Sequence, residues 1–199
     1  MKWIALLFFS CSLWGASEIG KVTEIEGEVH ASQTMKKKRA LELGSLIYVK
    51  DTIQTAGEAA IQIEFLDKTL LNLKANTRYF IEQYQFGKGK DRSHGELLEG
   101  GFRLFSGSIK PDPDEYNIKT PNAVIGLLGT LLEAEMSDET LYVACTQGRV
   151  QIKNAVETVV IGEGMEQFAV VTSYNRRPRI FINPPTQQVR PTIRPGVRP

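Results

Sequence analysis

With 199 residues the chain is long enough for one domain with a sizeable core. Its 42% hydrophobic and 24% charged content excludes a largely disordered chain, and no apolar run is long enough to cross a bilayer with margin. The formal net charge of +1 hides two unequal parts: residues 18–172 hold 17 basic and 23 acidic groups, net −6, whereas residues 173–199 hold six arginines and no acid, and Lys2 supplies the remainder. Such a division suggests an interaction tail.

The first segment, "MKWIALLFFSCSLWGAS", places one lysine before an apolar stretch from Trp3 to Leu13 and ends in small residues, the layout of a secretory signal peptide. That stretch is too short for a spanning helix, which needs roughly 20 apolar residues. Cleavage after Ser17 sets Ser17 and Gly15 at the two positions that favour small side chains, so the mature chain is expected to start at Glu18. Cys11 allows a lipoprotein alternative, but Phe8 and Phe9 stand where such a signal wants an aliphatic and a small residue. Loss of residues 1–17 removes Cys11 and leaves Cys145 alone, so no internal disulfide can form.

From residue 20 to about 172 the chain reads as short strands between turns, with helix scarce. Thr23 and Ile25 alternate with Glu24 and Glu26, and "MKKKR" at 35–39 reads as a solvated loop, with polyanion binding as the sharper alternative. "AAIQIEFLD" sets Ile61, Ile63 and Phe65 on one face and Gln62 and Glu64 on the other. "LLEAEMSDETLYVAC" predicts a hairpin turning at Ser137 to Glu139, with Leu141, Val143 and Cys145 on one face, which makes Cys145 a small buried hydrophobe. "GRVQIKN" repeats the pattern with Val150 and Ile152 inside.

Between these lies "NAVIGLLGTLLEA", whose Gly126 and Gly129 interrupt an apolar run just before Thr130 and after "YNIKTP", where Pro121 holds Thr120 extended. Glycine belongs there if the strand bends, bulges or meets another segment closely. The order "ELGSLIYVKDTIQT", "AAIQIEFLDKTLLNLKANT", "LLEGGFRLFSGSI", "IKTPNAVIGLLGTLLEAEM", "LYVACTQGRVQI" and "VVIGEGMEQF" resembles the FecR domain, a bacterial periplasmic all-β module, over roughly residues 20–170. The resemblance implies an antiparallel sandwich or β-roll and a structural signature at Thr120, Pro121, Gly126, Gly129 and Thr130. Two departures stand out: Leu128 occupies the place of the family's usual basic residue, and Lys68 follows Asp67 where the family has Asp-Gly. Lysine tolerates positive φ poorly, so a wider turn is expected there.

Signal-transducing members of that family carry a cytoplasmic segment that engages a sigma factor and one transmembrane helix. With an exported start and no spanning helix, this chain resembles the stand-alone exported members, for which envelope binding or scaffolding is the implied role. An enzyme reading finds no support: "GKGK" at 87–90 lacks the spacing of a phosphate-binding loop, His30 and His94 are the only histidines and pair with no nucleophile, and "DPDE" at 112–115 reads as a solvated turn. No catalytic residue, cofactor or metal is expected, and no nucleic-acid partner.

The C-terminal stretch "RRPRIFINPPTQQVRPTIRPGVRP" holds six of nine prolines and sets arginines before prolines at Arg190, Arg194 and Arg198. Together with Arg176, Arg177 and Arg179 these form a candidate site for an anionic envelope polymer or an envelope protein. Residues 173–199 are expected to be a disordered tail, with "IFIN" able to add an edge strand. The expectation is a non-enzymatic exported domain that binds or scaffolds; the alternatives are an envelope hydrolase with a carboxylate site assembled only in three dimensions, or a structural subunit of an envelope complex.

Overall fold

A computed structural model describes residues 17–33, 38–110 and 112–182. Seventeen strands follow one another: β1 Glu18–Glu26, β2 Val29–Ser32, β3 Arg39–Ala40, β4 Leu46–Tyr48, β5 Thr52–Thr55, β6 Ala60–Phe65, β7 Leu70–Leu73, β8 Arg78–Gln85 and β9 Arg92–Phe105. Then come β10 Tyr116–Lys119, β11 Val124–Leu127, β12 Leu131–Ser137, β13 Thr140–Gln147, β14 Val150–Lys153, β15 Thr158–Ile161, β16 Gln167–Val171 and β17 Arg179–Phe181. No helix occurs among the described residues; the protein is all-β.

The strands build two stacked layers. A front sheet runs β4-β1-β6-β7-β9-β12-β13-β16-β17 and a back sheet runs β3-β2-β5-β8-β9-β10-β11-β14-β15. β9 belongs to both: its first half, from Arg92 to Glu99, pairs in the back sheet, and its second, from Gly100 to Phe105, pairs in the front. Pairing is antiparallel except between β9 and β10, which run parallel, so the expected antiparallel architecture becomes a mixed one at that point. The loop of residues 106–115 allows this, because it carries the chain back alongside β9 instead of reversing it in a tight hairpin.

Period-2 alternation decides which side chains fill the space between the sheets. Ile61, Ile63 and Phe65 of β6 point inward, while Gln62 and Glu64 face out. Ile53, Leu97, Ile125 and Ile152 of the back sheet meet Ile63, Leu71, Phe102 and Leu132 of the front in one continuous core. Aromatic rings bridge the layers, Phe65 stacking on Tyr84 at 5.3 Å and Tyr79 meeting Phe102 edge-on at 6.0 Å between centroids. Cys145 lies in that core, fully buried as the alternation implies, and burial pushes its thiol pKa up.

The hairpin at Ser137 to Glu139 forms as expected. Ser137 pairs with Thr140, and both central residues, Asp138 and Glu139, adopt left-handed backbone, the twist-matched two-residue turn. At Lys68 the turn is wider than two residues, as expected, but the lysine adopts positive φ all the same. Lys68 sits at φ 70° and closes a three-residue loop, in which its amide donates to the Phe65 carbonyl at 3.0 Å and the Phe65 amide to the Thr69 carbonyl at 2.9 Å. The buried Asp67 side chain compensates for the strained neighbour by accepting from the Thr69 hydroxyl and from Tyr84.

Candidate partner interface

Of the family-signature residues, Gly129 and Thr130 occupy the point where the chain passes between layers, and the other three lie in the back sheet. Gly129, at φ 75°, turns the chain from β11 in the back sheet to β12 in the front, and its carbonyl lies where a Cβ on Gly148 would sit in the return crossing. Gly126 serves a different need: a Cβ there would strike Pro113, whose loop lies across β11. Thr130 is buried, donates its amide to Ser106 Oγ at 2.8 Å, and meets Cys145 Sγ at 3.7 Å. The Thr120 hydroxyl accepts from the amides of Asn122 and Ala123 and donates to the Ala123 carbonyl, fixing the β10–β11 turn on which Pro121 is exposed. The apolar Leu128 takes part in the same crossing, its amide donating to the Arg149 carbonyl at 3.2 Å.

Three polar residues, Asn122, Asp51 and Asp67, to which sequence reasoning gave no buried role, hold the frame. Asn122 is nearly buried and donates to the carbonyls of Glu139 and Val171, both at 2.7 Å, tying the back-sheet turn to two front-sheet segments. Asp51, fully buried, accepts two bonds from Arg39, at 2.6 and 3.0 Å, and one from the Tyr48 amide at 2.9 Å. Arg39 therefore leaves the basic run at 35–39 for a structural ion pair; Met35, Lys36 and Lys37 lie outside the described residues. Asp67, also fully buried, joins Tyr84, Thr69 and Tyr116 in a network that the Gly107 amide completes. The signal for Asp51 was a polar residue beside a strand and that for Asp67 a turn position, and a solvated turn shares both.

Catalytic combinations do not assemble among the described residues. His30 stands 3.4 Å from Glu28, and the His94 ring meets the Asp114 carbonyl at 3.2 Å, both in the back sheet, whereas Cys145 is in front-sheet β13. The two motifs tested for ligand binding join each other: Lys90 of "GKGK" pairs with Glu115 of "DPDE" at 2.7 Å. That contact raises the Lys90 pKa and lowers that of Glu115, through the hydrogen bond between them. No group of three potential metal ligands occurs among the described residues.

What the molecule offers instead is an end. β17 edges the front sheet, so the sheet continues past residue 172, where the disordered tail was expected to begin. The preceding loop is held too, with the Asn154 side chain donating to the Arg176 carbonyl at 2.6 Å and the Ala155 amide to the Tyr174 carbonyl at 3.2 Å. Arg176, Arg177 and Arg179 are exposed on this loop and strand, beside exposed Tyr174, Ile180 and Ile182. Arg190, Arg194 and Arg198 lie outside the described residues. Among the described residues β17 has no strand on its outer side, and cations and apolar side chains border it there.

The fold is a two-layer β module, and comparison with known proteins specifies its family. The model of the FecR protein family matches residues 51–151, and the chain belongs to that family. Two crystal structures of a candidate anti-sigma factor from Parabacteroides distasonis share the fold, each at 18% identity with a TM-score of 0.53. The match covers 66% of this chain and 59% of that protein. No curated protein matches the chain. Among the described residues no helix is long and apolar enough to cross a membrane.

Proposed function

We propose that this protein is an exported, non-enzymatic binding or scaffolding domain of the bacterial cell envelope, whose partner is an envelope protein or an anionic envelope polymer. The observation that carries the reading is the exposed basic row Arg176, Arg177 and Arg179 on the loop and edge strand that end the front sheet. Membership of a family with regulatory relatives supports a protein partner, and the short apolar leader supports export. Arginines on an extended edge present forked donors suited to carboxylates and phosphates, while the open backbone supplies further hydrogen bonds.

Co-sedimentation with purified envelopes tests this. The full chain should sediment at low salt and be released as the Debye length falls below about 10 Å, and a variant with Arg176→Glu, Arg177→Glu and Arg179→Glu should stay in solution. Equal sedimentation of the two proteins would place recognition elsewhere. Crosslinking in cells followed by mass spectrometry identifies the partner, and intact-mass measurement should show a chain starting at Glu18 without lipid.

A further inference from the structure

An edge strand ends each sheet on either side, and three of these strands are guarded. β3 has two residues, one of them Arg39 in its ion pair with Asp51; β4 has its Leu46 carbonyl taken by Arg39 Nη2 at 3.1 Å; β17 follows Pro178 and begins with Arg179. β15 is the exception. Thr158-Val159-Val160-Ile161 contains neither charge nor proline, pairs with β14 and, among the described residues, has no strand on its other side. The devices that keep an edge from pairing are missing at this one strand.

The side of the sandwich that β15 borders is also open between the layers. Counted from β9, β15 and β17 are each the fourth strand of their sheets, and the bonds from Asn154 and Ala155 to Arg176 and Tyr174 hold the two edges on one side. Inner-facing side chains there lack cover: Val159, opposite the buried Ile152, is only half-buried, and Ile180, opposite the buried Ala169, is 45% exposed. The two ends of β15 differ in kind. Beside its start, at the 154–157 turn, lie exposed Val156, Tyr174, Arg176 and Arg177; beyond its end, in the 162–166 loop, lie exposed Met165, Glu163 and Glu166. None of these arginines and glutamates is in an ion pair among the described residues.

We propose that β15 is a dimer edge, pairing antiparallel with β15 of a second copy about a two-fold axis through Val159. Opposite residues of an antiparallel pair share a face, and this register obeys that: Val159 meets Val159 on the inner face, and Thr158 meets Val160 on the outer. A register centred on Val160 sets Glu157 against Glu163 of the other copy, and like charge disfavours it. Antiparallel pairing brings the start of one β15 to the end of the other. Arg176 and Arg177 of each copy then face Glu163 and Glu166 of its mate, Val156 and Tyr174 lie near Met165, and both contacts occur twice by symmetry. An unrelated strand could use the edge, but a second copy brings both complementary ends with it, and this decides the occupant. Arg179, opposite Val170 on the outer face, stays clear of the contact, so the assignment stands whether or not the envelope reading does.

Analytical ultracentrifugation of the full chain tests it. The wild type should sediment as a dimer, and Thr158→Glu with Val160→Glu, both at exposed outward positions, should weaken self-association about tenfold or more by setting like charges opposite one another, with an unchanged circular dichroism spectrum. Glu163→Arg with Glu166→Arg should weaken it too, and adding Arg176→Glu and Arg177→Glu should restore it, a recovery that a misfolded variant does not show. A wild type that stays at the single-chain mass up to about 100 μM overturns the assignment. So does a Thr158→Glu, Val160→Glu variant that associates as well as the wild type, or a reversed set of charges that recovers nothing. A chain that dimerises only once residues 183–199 are removed also overturns it, and gives the edge to that segment.

Discussion

Asn122 and Val171 lie 49 residues apart in the chain, and a single 2.7 Å bond from the Asn122 amide to the Val171 carbonyl joins the turn of one sheet to the end of a strand in the other. The same amide group bonds the Glu139 carbonyl, so its loss strands two acceptors at a nearly buried position. Asn122→Ala should destabilise the domain by about 2–3 kcal/mol in denaturant unfolding. Pro121→Ala, next to it but exposed, should change stability by less than about 1 kcal/mol. Similar values for the two variants would show that the cross-layer bonds contribute nothing.

Gly129→Val forces a β-branched side chain into left-handed backbone at the layer crossing, and its cost should be about 1–3 kcal/mol. Gly129→Asn should recover most of that loss, because asparagine tolerates this conformation. A midpoint for the valine variant equal to that of the wild type would contradict the turn.

Arg39→Met leaves the fully buried Asp51 carboxylate with the Tyr48 amide in place of three donors, a loss of about 3–5 kcal/mol. Adding Asp51→Asn to Arg39→Met should restore a substantial part of the stability. Additive losses in the double-mutant cycle would argue against a coupled pair.

Alkali should unfold the domain before it affects the strand pattern by other routes. Burial pushes the phenol pKa values of Tyr79, Tyr84 and Tyr116 up, and for Tyr84 and Tyr116 the Asp67 charge adds to the shift. These are acids whose folded pKa exceeds the unfolded value near 10, so their stabilisation is complete below about pH 10 and is lost as pH rises beyond it. The urea midpoint should fall steadily from about pH 9.5 upward, and Tyr79→Phe should flatten that decline. A midpoint independent of pH in this range would mean that the phenols are not held neutral by the fold.

Much of the strand architecture was legible because alternation reports which face is buried: Ile61, Ile63 and Phe65, or Leu141, Val143 and Cys145, reveal their inner side without any partner. The hairpin at Asp138 and Glu139 was legible from local turn chemistry. Pairing was not. The parallel run of β10 beside β9 depends on a loop path that no residue pattern encodes, and the burial of Asp51 depends on Arg39, which stood in a basic run typical of solvated loops. At the candidate interface, prolines and arginines suggested a tail from residue 173. β17 forms all the same, because three residues suffice to pair with an unoccupied edge of β16 once Asn154 has pinned the preceding loop.

The fourteen-residue β9 has one further consequence, for how the molecule comes apart. Strands before it and strands after it pair with it in each layer: β8 and β10 in the back, β7 and β12 in the front. A protease nick in the 86–91 loop or the 106–115 loop therefore cannot release a self-sufficient half, since whichever fragment keeps β9 leaves the other with two layers that share no strand. Nicked protein should stay associated and melt as one unit, and the separated pieces should regain structure only when mixed.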